Sequence, residues 1–304
     1  MLKTFLVSLF SLVYSCNILT LSGGGAYGSF EIGVASKLFE DGKKYDLITG
    51  VSAGSINAGY LSTVNSGDEK YKTKEFKNLW LNIKDGDIYK KVYFTNELSM
   101  YDNSPLQNTM NQVFYNKKPV RPVLIGATSL KQGKTKVFTE KDIEKYNFTD
   151  IIMSSTAIPL AFPPYRFLND IFVDGGVSSN ILLTEGIDYC LKNFPTEKIY
   201  VDVIVCGKKI SEDNTIQLNL KDVLKRLINI IREQVLYSEL LHPVLENDIY
   251  VTIYEQKNED KYSMLDFDST SILYDEGYTF KNVNIYYLNR SEIIITDKHN
   301  YSDY

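Results

Sequence analysis

Two strand-to-helix junctions built around glycine, both within the first 64 residues, constrain this chain more than any other feature. "NILTLS" (17–22) reads as a short strand and runs into Gly23-Gly24-Gly25-Ala26-Tyr27-Gly28. "GSFEIGVASKLFEDG" (28–42) follows, with apolar residues at 30, 34 and 38 and Gly42 as a stop, which is the pattern of a helix. "YDLITGVS" (45–52) repeats the arrangement as a second strand, and "AGSINAGYLSTV" (53–64) is the helix after it. Strand, tight turn and helix, twice in succession, predict an α/β domain with a mostly parallel central sheet. At 304 residues and 44% hydrophobic, the chain can bury one large core, and no Gly/Ser-rich or Pro-rich linker divides it.

The glycine loop taken alone satisfies G-x-G-x-x-G between a strand and a helix, so a dinucleotide site has to be weighed first. Asp46 lies near the offset of a ribose-binding acid, but it opens the second strand, whereas that acid belongs at the strand's carboxyl end. No P-loop lysine follows either. What stands at the end of the second strand is Gly50-Val51-Ser52-Ala53-Gly54, a G-x-S-x-G at the strand-to-helix junction that motif requires. The turn projects the Ser52 hydroxyl above the sheet and aims a helix N-terminus toward it. Larger side chains at 50 or 54 would collide with neighbouring backbone.

A serine hydroxyl needs a base, and its attack on an acyl carbon creates an oxyanion that needs donors. Gly23, Gly24 and Gly25 can turn their amides into a shallow nest, so the loop is better read as an oxyanion hole than as a phosphate cradle. The chain has two histidines, His242 at the end of a long amphipathic segment and His299 in a polar tail, and neither neighbours a glycine turn. The better base is Asp174 in "FVDGGVSSN", at the carboxyl end of a strand and followed by Gly175 and Gly176. Burial beside Ser52 would raise its pKa toward a useful range. The plain alternative is a turn residue.

These three elements, in this order, resemble the patatin-like phospholipase family. "SSTAIPLAFPP" (154–164), ten residues before Asp174, is similar to a stretch of that family, "PVLIGATSLKQGKTKVF" to its middle hairpin and "DSTSILYDEGY" (268–278) to its closing helix. The resemblance spans roughly residues 17–280. It implies a three-layer α/β/α fold and a Ser-Asp dyad with neither cofactor nor metal. Carried over, Ser52 attacks a lipid ester and Asp174 accepts its proton. The resemblance gives the oxyanion to the amides of Gly23, Gly24 and Gly25, with a contribution from Ala53; Gly28, Gly50, Gly54, Gly175 and Gly176 support the motifs. The chain departs from the family at Tyr27, where Arg or Lys is usual, which removes a positive charge near the loop. Three readings follow: a phospholipase A-type lipid acyl hydrolase, open also to neutral glycerolipid or lysophospholipid esters; a Ser-His-Asp esterase using His242; and a lipid-binding protein on a disabled hydrolase fold.

The rest of the chain bears on where such an activity would work. Residues 1–15, "MLKTFLVSLFSLVYS", have a basic start at Lys3, an apolar stretch from Phe5 to Val13 and a small-residue ending, the pattern of a secretory signal peptide. The apolar stretch is too short to span a bilayer; a buried N-terminal helix is the alternative. The expected division is a signal peptide at 1–15 and a patatin-like domain at 16–304, secreted or delivered to the endomembrane lumen. Without Lys3, 32 basic side chains face 38 acidic ones, which excludes nucleic acid as a partner and electrostatic docking on anionic membranes. Contact with a membrane or micelle surface carrying the lipid ester would be mainly apolar. Three cysteines permit at most one internal disulfide, with Cys16 expected as the odd one out. Sequons at Asn147, Asn289 and Asn300 add little. "LKDVLKRLINIIREQVLYSELLH" (220–242) reads as a core-facing amphipathic helix, "DIYVTIYE" (248–255) as the last strand, and 65–118 as helices and loops covering the sheet.

Overall fold

The structure is a computed structural model that describes residues 14–92, 99–194, 196–206, 220–241, 248–257, 262–281, 283–289 and 292–294. Both histidines and most of the expected signal peptide lie outside the described residues.

The strands are β1 (Tyr14–Leu21), β2 (Leu47–Val51), the short pair β3 (Lys90–Lys91) and β4 (Tyr101–Asp102), β5 (Val123–Ser129), β6 (Lys134–Thr139), β7 (Tyr165–Phe167), β8 (Asp170–Asp174), β9 (Thr196–Val205), β10 (Asp248–Gln256), β11 (Val283–Asn289) and β12 (Glu292–Ile294). The helices are α1 (Gly28–Glu40), α2 (Ala53–Ser62), α3 (Glu69–Asn82), α4 (Asp85–Ile88), α5 (Ser104–Val113), α6 (Glu140–Lys145), α7 (Phe148–Ser155), α8 (Leu183–Asn193), α9 (Leu220–Leu241) and α10 (Thr270–Tyr278). Strands β10, β9, β1, β2 and β5 run parallel as the centre of one large sheet. Antiparallel β11 and β12 extend it beyond β10, and β6, β8 and β7 close the other side. The sheet is therefore the mostly parallel one expected, although β10 is not its last strand.

Helices cover both faces, giving three layers. Parallel strands buried on both sides read as continuous apolar runs, and β2 and β5 are buried throughout. Phe30, Val34 and Leu38 of α1, with Ile56 and Leu61 of α2 and Trp80 of α3, build the larger core on one face. On the other face Leu183 and Ile187 of α8 and Leu236 and Leu240 of α9 pack over Ile18, Leu47, Val201 and Val251.

Three expectations change. Tyr14 and Ser15 already belong to β1, which pairs with β9 from its first residue. Cys16 is not the odd cysteine: it is disulfide-bonded to Cys190, tying β1 to α8, and the buried Cys206 is the free one. The apolar stripe of α9 is buried at Leu236 and Leu240, whereas Leu227, Ile230 and Ile231 are exposed. This helix packs on α8 and on the turn after β8, and that contact, rather than a full-length seam, orients it. Among the described residues no helix is long and apolar enough to cross a membrane.

Candidate active site

The middle strand β5 assembles the site. Its residues Leu124–Ser129 pair with β6 along one edge, so β2 and β8 must share the other. β2 runs up that edge until Val51 faces Gly126, and β8 runs down it until Asp174 faces Ala127. The two strands thus end head to head at adjacent positions of β5, and the residues at their ends meet. The Ser52 hydroxyl donates to Asp174 Oδ2 at 2.5 Å, across 122 residues of sequence.

Ser52 takes φ 53° and ψ −123°, a left-handed conformation that a non-glycine residue holds at a cost of roughly 1–3 kcal/mol. Surrounding contacts fix it there. Its amide donates to Ser155 Oγ at 2.8 Å, and Ser155 in turn donates to the Gly126 carbonyl at 2.6 Å. A Cβ on Gly54 would stand 2.5 Å from the Leu21 carbonyl oxygen, and one on Gly50 2.1 Å from that of Gly54. Only glycine lets the start of α2 lie against the end of β1. Gly28, Gly175 and Gly176 have similarly close neighbours.

Burial pushes the Asp174 carboxyl from 3.8 up to about 6, opposed by the hydrogen bond from Ser52, by the Gly176 amide donating to Oδ1 at 2.8 Å, and by the charge of Arg232. Its own amide donates to the Ala157 carbonyl, so the "SSTAIP" stretch holds both the nucleophile and the acid. A carboxylate with this pKa is ionised at neutral pH and is a stronger base than an exposed one.

The glycine loop divides its roles. The Gly23 amide donates to the Asn180 carbonyl at 3.1 Å, so it is already engaged. Among the described residues the Gly24 and Gly25 amides take no backbone acceptor, and Ala53 opens α2 beside Ser52 with its amide at the helix N-terminus. Gly25, at φ 60°, has no room for a side chain, since a Cβ would lie 2.1 Å from the Met264 oxygen. Tyr27 is buried and its hydroxyl donates to the Tyr262 carbonyl at 2.7 Å. Asp46, just before β2, accepts from the amide and side chain of Asn17 in β1, which makes it a structural anchor between the two strands.

Beneath the loop lies a buried polar network that no motif signalled. Asn57 Nδ2 donates to the Gly28 carbonyl and to Glu31, both at 2.9 Å; Trp80 Nε1 donates to Asn57 Oδ1; Ser22 Oγ donates to Glu31. Burial raises the Glu31 carboxyl to about 8. The sequence also gave no sign of Arg232 or Asn180 as neighbours of the site. Arg232 is masked in the sequence by its setting in a long amphipathic helix.

An apolar cleft of about 480 Å³, including its open mouth, starts at Ser52, Gly25 and Ala53. Ile56, Trp80, Leu106, Met110, Phe162 and Phe267 line it, so it is shaped for a hydrocarbon chain leading away from the nucleophile. Among the described residues no cluster of His, Cys, Asp and Glu could hold a metal ion.

A serine on a strained elbow, paired with a raised carboxylate under a helix N-terminus and facing an apolar cleft, is an arrangement suited to nucleophilic attack on an acyl ester. Residues 19–187 match the model of the family described as patatin-like phospholipase. The chain belongs to the patatin-like phospholipase family. A cGAMP-activated phospholipase of Escherichia coli (strain TW11681) is 28% identical over 195 residues, covering 54% of this chain and 52% of the relative. Its namesake from Vibrio cholerae is 27% identical over 222 residues, 60% of this chain and 61% of the relative. Uncharacterized protein R571 of Acanthamoeba polyphaga mimivirus is 25% identical over 183 residues, 55% and 60% of the two chains. The chain thus spans about half to three-fifths of the length of these curated relatives. VipD from Legionella pneumophila aligns with a TM-score of 0.41 and 13% identity, over 90% of this chain and 68% of that one.

Proposed function

We propose that this protein is a lipid acyl hydrolase of phospholipase A type, working through a Ser52-Asp174 dyad. The observation that carries the reading is the 2.5 Å hydrogen bond from Ser52 to Asp174 at the mouth of the apolar cleft. Ser52 Oγ attacks the ester carbonyl while Asp174 takes its proton. The oxyanion is held by the amides of Gly24, Gly25 and Ala53, whereas Gly23 serves by fixing the loop to Asn180. Asp174 returns the proton to the leaving alcohol, and a water activated by the same carboxylate then releases the fatty acid from Ser52. Each oxyanion donor is worth about 3–4 kcal/mol of transition-state stabilisation.

The substrate would be met at a membrane or micelle surface, a reading supported by the exposed Leu227, Ile230 and Ile231 on α9. Export is supported by the signal-like residues 1–15 and by the Cys16–Cys190 disulfide, a bond that persists in oxidising compartments. The test is a fluorophosphonate label and a lipid-ester panel applied to wild type, Ser52→Ala and Asp174→Asn. Wild type should label and hydrolyse, Ser52→Ala should do neither, and Asp174→Asn should lose at least a hundredfold in rate. Hydrolysis retained by folded Ser52→Ala would sink the dyad, and a wild type that neither labels nor turns over would favour a lipid-binding protein on this fold.

A further inference from the structure

The active site has two sides, and only one is accounted for by the acyl cleft. The cleft lies on the face of the sheet that carries α2, α3 and α5. On the opposite face α9 is clamped against the turn after β8. Glu239 accepts hydrogen bonds from the Ser179 hydroxyl and from the amides of Asn180 and Ile181, the last two at 3.1 Å. Arg232 lies about two turns earlier on that helix. Its side chain passes Gly176 (the Arg232 Cγ is 3.9 Å from an ideal Cβ there), and its titratable neighbours are Cys206, Asp174, Tyr27 and Glu233. The guanidinium therefore sits among the ends of β8 and β9 and the glycine loop.

Its hydrogen bonding is incomplete among the described residues. Among the described residues Arg232 Nη1 is buried and has no hydrogen-bond partner, and the same is true of Asn180 Oδ1, which faces Gly23 and Gly176. The nearest carboxylate, Asp174, accepts from Ser52 at Oδ2 and from Gly176 at Oδ1, and Arg232 Nη1 makes no hydrogen bond to it. Cys206 is a neutral thiol, held protonated by burial. A buried cationic donor left open is costly unless a ligand supplies the acceptor. A guanidinium is suited above all to the oxygens of a phosphate.

We infer that Arg232 receives the phosphodiester of a glycerophospholipid whose scissile ester is at Ser52, with the acyl chain in the cleft on the other side of the sheet. The inference rests on the acyl-hydrolase reading and deepens it. A phospholipid carries its phosphate a few bonds from the reacting ester, whereas a neutral glyceride carries none. Arg232 is thus a specificity-determining residue.

The experiment compares wild type, Arg232→Gln and Arg232→Lys on two esters, a short-chain diacylphosphatidylcholine below its micelle concentration and p-nitrophenyl butyrate. The ratio of kcat/KM for phospholipid over neutral ester should fall at least tenfold in Arg232→Gln, mainly through KM, and less in Arg232→Lys. Equal ratios in all three proteins would overturn the assignment. Binding of the same phosphatidylcholine to Ser52→Ala should likewise be at least tenfold tighter than to the Ser52→Ala, Arg232→Gln double variant. This second measurement needs no turnover, so it judges Arg232 even if the wild type fails to hydrolyse or label, which would instead count against the dyad. Inorganic phosphate that binds Ser52→Ala as tightly as the lipid does would mark a free-anion site and overturn the lipid assignment.

Discussion

At the scale of single residues, two buried carboxyls set the pH behaviour. In the proposed dyad Asp174 must be ionised to accept the Ser52 proton, and burial brings its pKa to about 6. We expect kcat/KM to rise through about pH 6 and level off above it, as measured on a soluble ester; a profile that is flat from pH 4.5 to 7 would contradict the assignment. Glu31 acts on stability instead. Its folded pKa, about 8, is raised above its ordinary 4.5, so the native state favours the proton. The associated stability is complete below pH 4.5 and is lost as pH rises toward 8. Glu31→Gln keeps the shape and removes the titration, so its Tm should vary less than that of wild type between pH 4.5 and 8 in thermal melts. Tyr27 is where the sequence expects a missing charge. The structure fills the ring's site with packing and a hydrogen bond to Tyr262, and brings a charge into the neighbourhood from Arg232 instead. Ser52 and Asp174 were legible because each sits inside a short motif at a strand end. Arg232, Asn180 and the Glu31–Asn57 pair were not, because no local pattern marks a residue whose partner arrives from elsewhere in the chain.

At the scale of elements, the legible parts were those with strong local chemistry. β1, α1, β2 and α2 follow from apolar periodicity broken by glycine, and the β5–β6 hairpin from two β-branched runs around Gly133. β7 is three residues long and β11 and β12 sit in a Tyr- and Asn-rich stretch, so they carry too little periodicity to be read. The direction of β8 was hidden for a different reason: an antiparallel and a parallel strand of five residues look alike in sequence. The disulfide belongs to this scale too. Cys16 and Cys190 lie 174 residues apart, and their link ties the second core, where α8 covers β1, against a long loop in the unfolded chain. Replacing both by serine should cost about 2–5 kcal/mol. Denaturant titration of the double variant, against oxidised and reduced wild type, checks it; an unchanged midpoint would show that packing alone holds α8 in place.

At the scale of the whole molecule, the sheet presents different chemistry on its two faces. One face offers an apolar cleft under α2, α3 and α5, and the other offers α9 with Arg232, while Ser52 stands at the rim where they meet. Fold class could be read from the sequence because alternation of strand and helix is a global pattern. The division of labour between faces could not, since it depends on which helices end up on which side of the sheet.

The head-to-head ending of β2 and β8 on one edge of β5 also makes Ser52 a clock. Its reactive state needs a partner 122 residues away, and that partner arrives only after β5 has paired with both strands. Pairings of such long sequence separation form late, because the loop entropy is lost before any contact rewards it. During refolding from denaturant, fluorophosphonate capture at Ser52 should therefore lag behind the recovery of helical signal. Capture that keeps pace with the helices would mean the dyad is assembled from a local nucleus, and the sheet closes around it afterwards.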